Sequence, residues 1–109
     1  MSKRVANKDA RSRVQKREEF EGSNTFGVWK YTPDDAERYV VYSYGLHWPL
    51  FIYEAGKWYE NDDRYSHTTT QHRSRLHPLC QTEKHPVEDM KDIALLGVAN
   101  WMARKLQAA

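Results

Sequence analysis

Residues Tyr39 to Pro78 read YVVYSYGLHWPLFIYEAGKWYENDDRYSHTTTQHRSRLHP. Nine of the fourteen aromatic residues lie between Tyr39 and Tyr65, among β-branched neighbours that suit a pleated, packed surface. Arg38 to Tyr44 is the strongest strand signal, broken by Gly45. Its alternation sets Tyr39, Val41 and Ser43 on one face and Val40, Tyr42 and Tyr44 on the other. Large side chains on both faces predict that both are at least partly covered. Leu50 to Glu54 is a second strand, entered at Pro49. Ala55-Gly56 is a hairpin turn, and Lys57 to Glu60 returns as a third strand.

Outward from this block, Phe26 to Tyr31 is a short strand candidate, preceded by a turn at Gly22-Ser23-Asn24 and followed by one at Thr32-Pro33-Asp34-Asp35. After the polar loop Asn61-Asp62-Asp63, the segment from Ser66 or Thr68 through Leu76 reads as a short helix, with an extended edge strand as the alternative. His77-Pro78 ends it. Pro86 to Gln107 reads as one long helix. Pro86 suits its first turn, Glu88 and Asp89 its positive end, and Arg104 and Lys105 its negative end. Met90, Ile93, Ala94, Gly97 and Trp101 recur at helical spacing as its buried stripe, widened by Leu96 and Val98. The expected architecture is α+β: a three- to four-stranded antiparallel sheet (about 26–60), a polar and basic connection (61–85), and one long helix (86–107) across one sheet face.

Met1 to Arg17 carries seven lysines and arginines against Asp9 alone, whereas residues 18–109 carry ten bases and fourteen acids. Residues 1–21 therefore read as a basic flexible arm on a mildly acidic single domain of residues 22–109. The arm is either a solubilising tail or a polyanion-binding element. Cys80 is the only cysteine, so no intramolecular disulfide forms, and no stretch is apolar enough for a membrane span or a signal peptide. The expected location is the cytoplasm, with no membrane partner.

Catalytic signatures are sparse. There is no nucleophile elbow and no glycine-rich phosphate loop, and enzymatic function is disfavoured. His67, His72, His77 and Cys80 follow H-x4-H-x4-H-x2-C, which departs from the tight pairs of structural zinc sites, so neither metal nor cofactor is expected. Asp62 and Asp63 with His67 and His72 would make a metal-dependent nuclease only if a loop converged them; an Asx-type turn at Asn61 is the simpler reading.

Donors suited to phosphates and base edges are denser. Arg64, Thr69, Thr70, His72, Arg73 and Arg75, together with Arg11, Arg13, Lys16 and Arg17 of the arm, are the candidate nucleic-acid contacts. The alternative is a protein-binding inhibitor or adaptor of host machinery, with Tyr42, Tyr44, Trp48, Tyr53 and Trp58 as an aromatic patch. A homodimer would help stabilise so small a domain.

The pattern YVV-x-SYG-x-H-x-P followed by WY-x-N-x-D-x-YS-x-TT-x-x-H-x-S, over Tyr39 to Pro78, resembles a family of small uncharacterised proteins of bacteriophages and other mobile elements. The most specific positions are Tyr42, Ser43, Tyr44, Gly45, His47, Pro49, Thr69 and Thr70. The resemblance implies a phage or plasmid accessory protein, acting in the host cytoplasm, and carries no catalytic residue with it. The expected function is thus non-enzymatic nucleic-acid binding through the arm and the Thr/His/Arg segment.

Overall fold

The computed structural model describes residues 7–22, 24–31, 37–63 and 67–108. The turn expected at residues 32–35 lies outside them. In chain order the elements are α1 (Asn7–Lys16), β1 (Phe20–Glu21), β2 (Thr25–Tyr31), β3 (Glu37–Ser43), β4 (Pro49–Glu54), β5 (Lys57–Asn61), α2 (His67–Leu76), β6 (Thr82–His85), α3 (Val87–Leu96) and α4 (Val98–Ala108).

The strands form one six-stranded sheet in sequence order. β1 to β5 make an antiparallel meander, and β6 pairs parallel to β5, with Trp58 opposite Thr82 and Asn61 opposite His85. A parallel return needs a crossover, and α2 supplies it. The α+β class holds, but the sheet is larger and mixed. The sequence reading missed β1 because it is two residues long. It missed β6 because Thr-Glu-Lys-His has no apolar alternation. A bulge at Val41/Tyr42 pairs Val41 with Phe51 and Tyr42 with Pro49, which leaves Leu50 extra. Leu50 and Phe51 consequently enter the same core cluster.

The alternation in β3 divides the core. Tyr39 and Val41 join Ala10 and Val14 of α1, Phe20, Phe51, Trp58 and Leu76 of α2 on one face. Val40 and Tyr42 join Ile52, Tyr59, Met90, Ile93 and Ala94 of α3, and Trp101 of α4 on the other. The molecule therefore has three layers, α1 and α2, the sheet, then α3 and α4. Both sheet faces are covered, as the large residues on both sides of β3 predicted.

Two expectations are corrected here. The flexible arm is, over Asn7–Lys16, a helix whose Ala10 and Val14 are fully buried. Spaced four apart, they share a helical face, and two small apolar side chains suffice against a sheet this rich in aromatics. Arg17, at φ 56°, ends the helix, and Glu18 N–H donates to the Arg13 carbonyl at 2.9 Å. The single C-terminal helix is instead two. Gly97 sits at φ 87°, ψ 160°, a region only glycine enters without strain, and it separates α3 from α4.

Candidate nucleic-acid interface

α1 and α2 lie side by side on one face of the sheet. Arg11 Nη2 donates to the Ser74 carbonyl of α2 at 2.6 Å, and Gln15 Nε2 ties α1 to the turn after α2 by donating to the Pro78 carbonyl at 3.2 Å. α2 has no strong apolar stripe and rests on the core through Leu76 and the buried ring of His72. The two helices with Arg17 contain seven lysines and arginines and one acid, Asp9. Lys16 and Arg75 are exposed, as are Ser12, Gln15, Gln71 and Ser74; Arg13 is half-buried.

The predicted contacts divide into exposed and internal groups. Arg73 turns inward: Nη1 donates to the Asn61 carbonyl at 2.9 Å, and Nε lies 3.6 Å from the carboxylate of Glu60. Glu60 is buried and also accepts from Thr82 Oγ1 at 2.6 Å and His77 Nε2 at 3.0 Å. His77 Nδ1 accepts the Leu79 N–H at 2.9 Å, which assigns the ring proton to Nε2. The Glu60 carboxylate thus holds α2, the following turn and β6 against β5.

Arg11 is committed to Ser74, Arg13 lies 3.4 Å from Glu18, and the Arg17 guanidinium stacks 4.6 Å over the Tyr53 ring. Thr70 lies on α2 and is half-buried. Arg64 and the side chain of Thr69 lie outside the described residues.

His72 is buried and shares a 2.8 Å hydrogen bond with Ser43 Oγ, itself fully buried, while Tyr44 packs on its ring. Burial, and then the Arg75 charge, lowers its pKa below the usual histidine value. His72 is therefore a neutral strut between β3 and α2.

The aromatic patch does not form as a surface. Tyr42, Trp48 and Trp58 are buried in the two cores and Tyr53 is half-buried, leaving Tyr44, at 48% exposure, the only exposed member. A small sheet with helices on both faces uses its rings as core.

Of the nuclease constellation, the side chain of His67 lies outside the described residues, and His72 is tied to Ser43. Asn61 is fully buried; its Nδ2 donates to the Pro49 carbonyl at 2.9 Å and its Oδ1 accepts the Asp63 N–H at 2.8 Å, the expected Asx turn. Asp63 Oδ2 accepts the Val87 N–H at 2.8 Å and so caps α3. Among the described residues no three histidine, cysteine or carboxylate side chains gather as metal ligands. No described helix is long and apolar enough to cross a membrane.

Sequence reasoning missed Ser12 and Gln15, which help form the outer surface of the basic layer. The signal for them was available: with Ala10 and Val14 taken as a buried pair, they fall on the open side of α1. No family model, no curated protein and no solved structure matches this chain.

Proposed function

We propose that the α1–α2 layer binds nucleic acid through its phosphate backbone. The observation that carries this reading is the side-by-side packing of α1, which exposes Lys16, and α2, which exposes Arg75, in one helical layer. Phosphate neutralisation by lysine and arginine releases counterions and supplies sequence-independent affinity. Lys16 and Arg75 are the charges available to phosphates, with Arg13 beside them. Ser12 and Gln71, exposed on the same two helices, extend the surface with the polar groups that commonly accompany such contacts. Arg11 and Arg73 position the helices and do not contact the ligand. The protein would act as a non-enzymatic accessory factor, in keeping with the phage and mobile-element resemblance.

The test is a salt titration of binding to labelled duplex and single-stranded DNA and RNA. Removal of residues 1–19 would take away two core side chains, so charge substitutions are the clean probe. The double variant Lys16→Ala, Arg75→Ala should reduce the log–log salt slope by about 2, roughly one unit per lost phosphate contact. Affinity that holds between about 50 and 200 mM salt, or a slope unchanged in the variant, would refute the reading.

A further inference from the structure

The turn between β3 and β4 sets an exposed aromatic ring against α2. Of the two exposed tyrosines, Tyr31 ends β2, whereas Tyr44 packs on the His72 ring of α2. The ring centres lie 5.5 Å apart, with planes tilted by 42°. His72 thus covers one face of the Tyr44 ring. At 48% exposure, the other face is open to solvent.

Nothing in the local backbone asks for a tyrosine at this position. Its φ of 67° lies in the left-handed region, where glycine or asparagine is the ordinary occupant and a bulky side chain is strained. Surrounding hydrogen bonds hold that conformation. Tyr44 N–H donates to the Asn24 carbonyl at 2.8 Å, Ser43 N–H to the Trp48 carbonyl at 3.1 Å, and Trp48 N–H to the Gly45 carbonyl at 3.2 Å. A strained, exposed aromatic residue on an over-determined turn points to function. The turn is also uncharged. No lysine, arginine, aspartate or glutamate occurs from Tyr39 to Tyr53, and Leu46, two residues on from Tyr44, is 65% exposed. Such a surface suits the flat face of a base and not a phosphate.

The cations lie next to it. Arg75 follows His72 by three positions, so the two side chains are neighbours on α2. α1 runs in the same direction as α2, with Arg11 beside Ser74 and Gln15 beside Pro78, which puts Lys16 toward the C-terminal end of α2. Ring, Arg75 and Lys16 thus succeed one another along the helix.

We infer that the nucleic acid bound by the α1–α2 layer is single-stranded, with one base stacked on the open face of Tyr44 and neighbouring phosphates on Arg75 and Lys16. This rests on the phosphate-binding reading of that layer and adds the state of the strand. A duplex keeps its bases stacked on one another, so it offers the layer phosphates but offers Tyr44 no base face. Stacking tolerates any sequence, because every base has a π-face.

The experiment is fluorescence anisotropy at fixed salt with an end-labelled strand of about 12 nucleotides. The strand is used alone, annealed to its complement, and as a fully abasic oligomer of the same length and charge. DNA and RNA versions are both run, and the tighter binder identifies the source of the strand. The protein should prefer the single strand to the duplex and bind the abasic oligomer about tenfold more weakly. Tyr44→Leu keeps bulk over His72 and the same backbone demand. It should keep its circular dichroism spectrum, lose about tenfold on the normal strand, and bind normal and abasic strands alike. Tyr44→Phe, which keeps the ring, should restore the difference. A merely structural role for Tyr44 would not couple the side chain to the presence of bases.

Salt-sensitive binding that favours the duplex, ignores the loss of bases or is unchanged in Tyr44→Leu would overturn this inference and leave the phosphate reading standing. Binding that does not weaken with salt would overturn both.

Discussion

Ala55 and Gly56 close the β4–β5 hairpin with φ values of 52° and 81°. Two positive φ angles in a two-residue loop match the right-handed twist of the paired strands. Gly56 adopts its angle freely; Ala55 does so at a cost of about 1 kcal/mol, because its Cβ crowds the following carbonyl. Ala55 is exposed and its turn makes no core contact. Ala55→Asn should therefore raise the free energy of unfolding by about 0.5–1 kcal/mol, read from urea melts at constant slope. A lower midpoint would show that the left-handed conformation of Ala55 is not a source of strain. Gly27 poses the opposite demand: a Cβ there would lie 2.5 Å from the Tyr39 hydroxyl and 2.7 Å from the Phe20 ring. The Tyr39 hydroxyl donates to the Glu18 carbonyl at 2.6 Å, and burial, with the Glu19 and Glu18 charges, holds its pKa far above the tyrosine range. The hairpin at Ala55-Gly56 was legible because turn chemistry is local. The need for glycine at position 27 was not, because it arises from residues 7 and 12 positions away in the chain.

At the scale of elements, helix ends in this protein are satisfied largely by side chains from elsewhere in the sequence. Arg38 on β3 is buried, and its Nε and Nη2 donate to the Ala94 and Leu95 carbonyls at 2.7 and 2.9 Å. A cation there meets the negative end of the α3 dipole and satisfies carbonyls that the helix leaves open. Across the Gly97 break, the Glu54 carboxylate of β4 receives the Val98 N–H at 3.2 Å at the positive end of α4. Two adjacent strands thus clamp the break between two helices. Glu54→Ala should cost about 0.5–2 kcal/mol and reduce protection of the first-turn amides of α4 from hydrogen exchange, while leaving β4 protected. Equal protection in the variant would show that the carboxylate does not hold that turn. The helical stripe from Met90 to Trp101 was readable as a pattern, but it ran through Gly97 and suggested continuity. The break is decided by Arg38 and Glu54, which seat the two helix ends on the sheet.

For the whole molecule, two helical layers make the α2–sheet contact a determinant of acid stability. His72 is neutral in the folded state, with a pKa below 6.5, and the unfolded chain returns it to its ordinary value. The unfolded state therefore binds more protons in this window, and stability falls as pH drops from about 6.5 through the lower folded value. Glu83, held below the ordinary carboxylate value by its hydrogen bonds to His85 and Lys57, contributes in the same direction but only below about pH 4.5, and weakly, because it is largely solvated. Unfolding free energy should accordingly decline between about pH 7 and pH 5, and His72→Gln should flatten that decline while lowering stability at neutral pH. A pH slope unchanged in the variant would assign the effect to other groups.

The sequence by itself determined the central strands, their alternation and the α+β class, because period-two patterns and turn residues act over a few positions. It also determined that basic residues concentrate in residues 1–17 and that residues 64–82 carry no acid. Tertiary structure alone decided that residues 7–16 are a core helix, since two buried side chains offer too little signal until a sheet face receives them. It decided that Thr82–His85 is a strand, since only the open edge of β5 recruits a segment with no apolar alternation. It also placed the two basic segments in one layer and turned Arg73 inward to Glu60. Those outcomes depend on which surfaces meet, and contacts between residues some sixty positions apart leave no periodic trace in the chain.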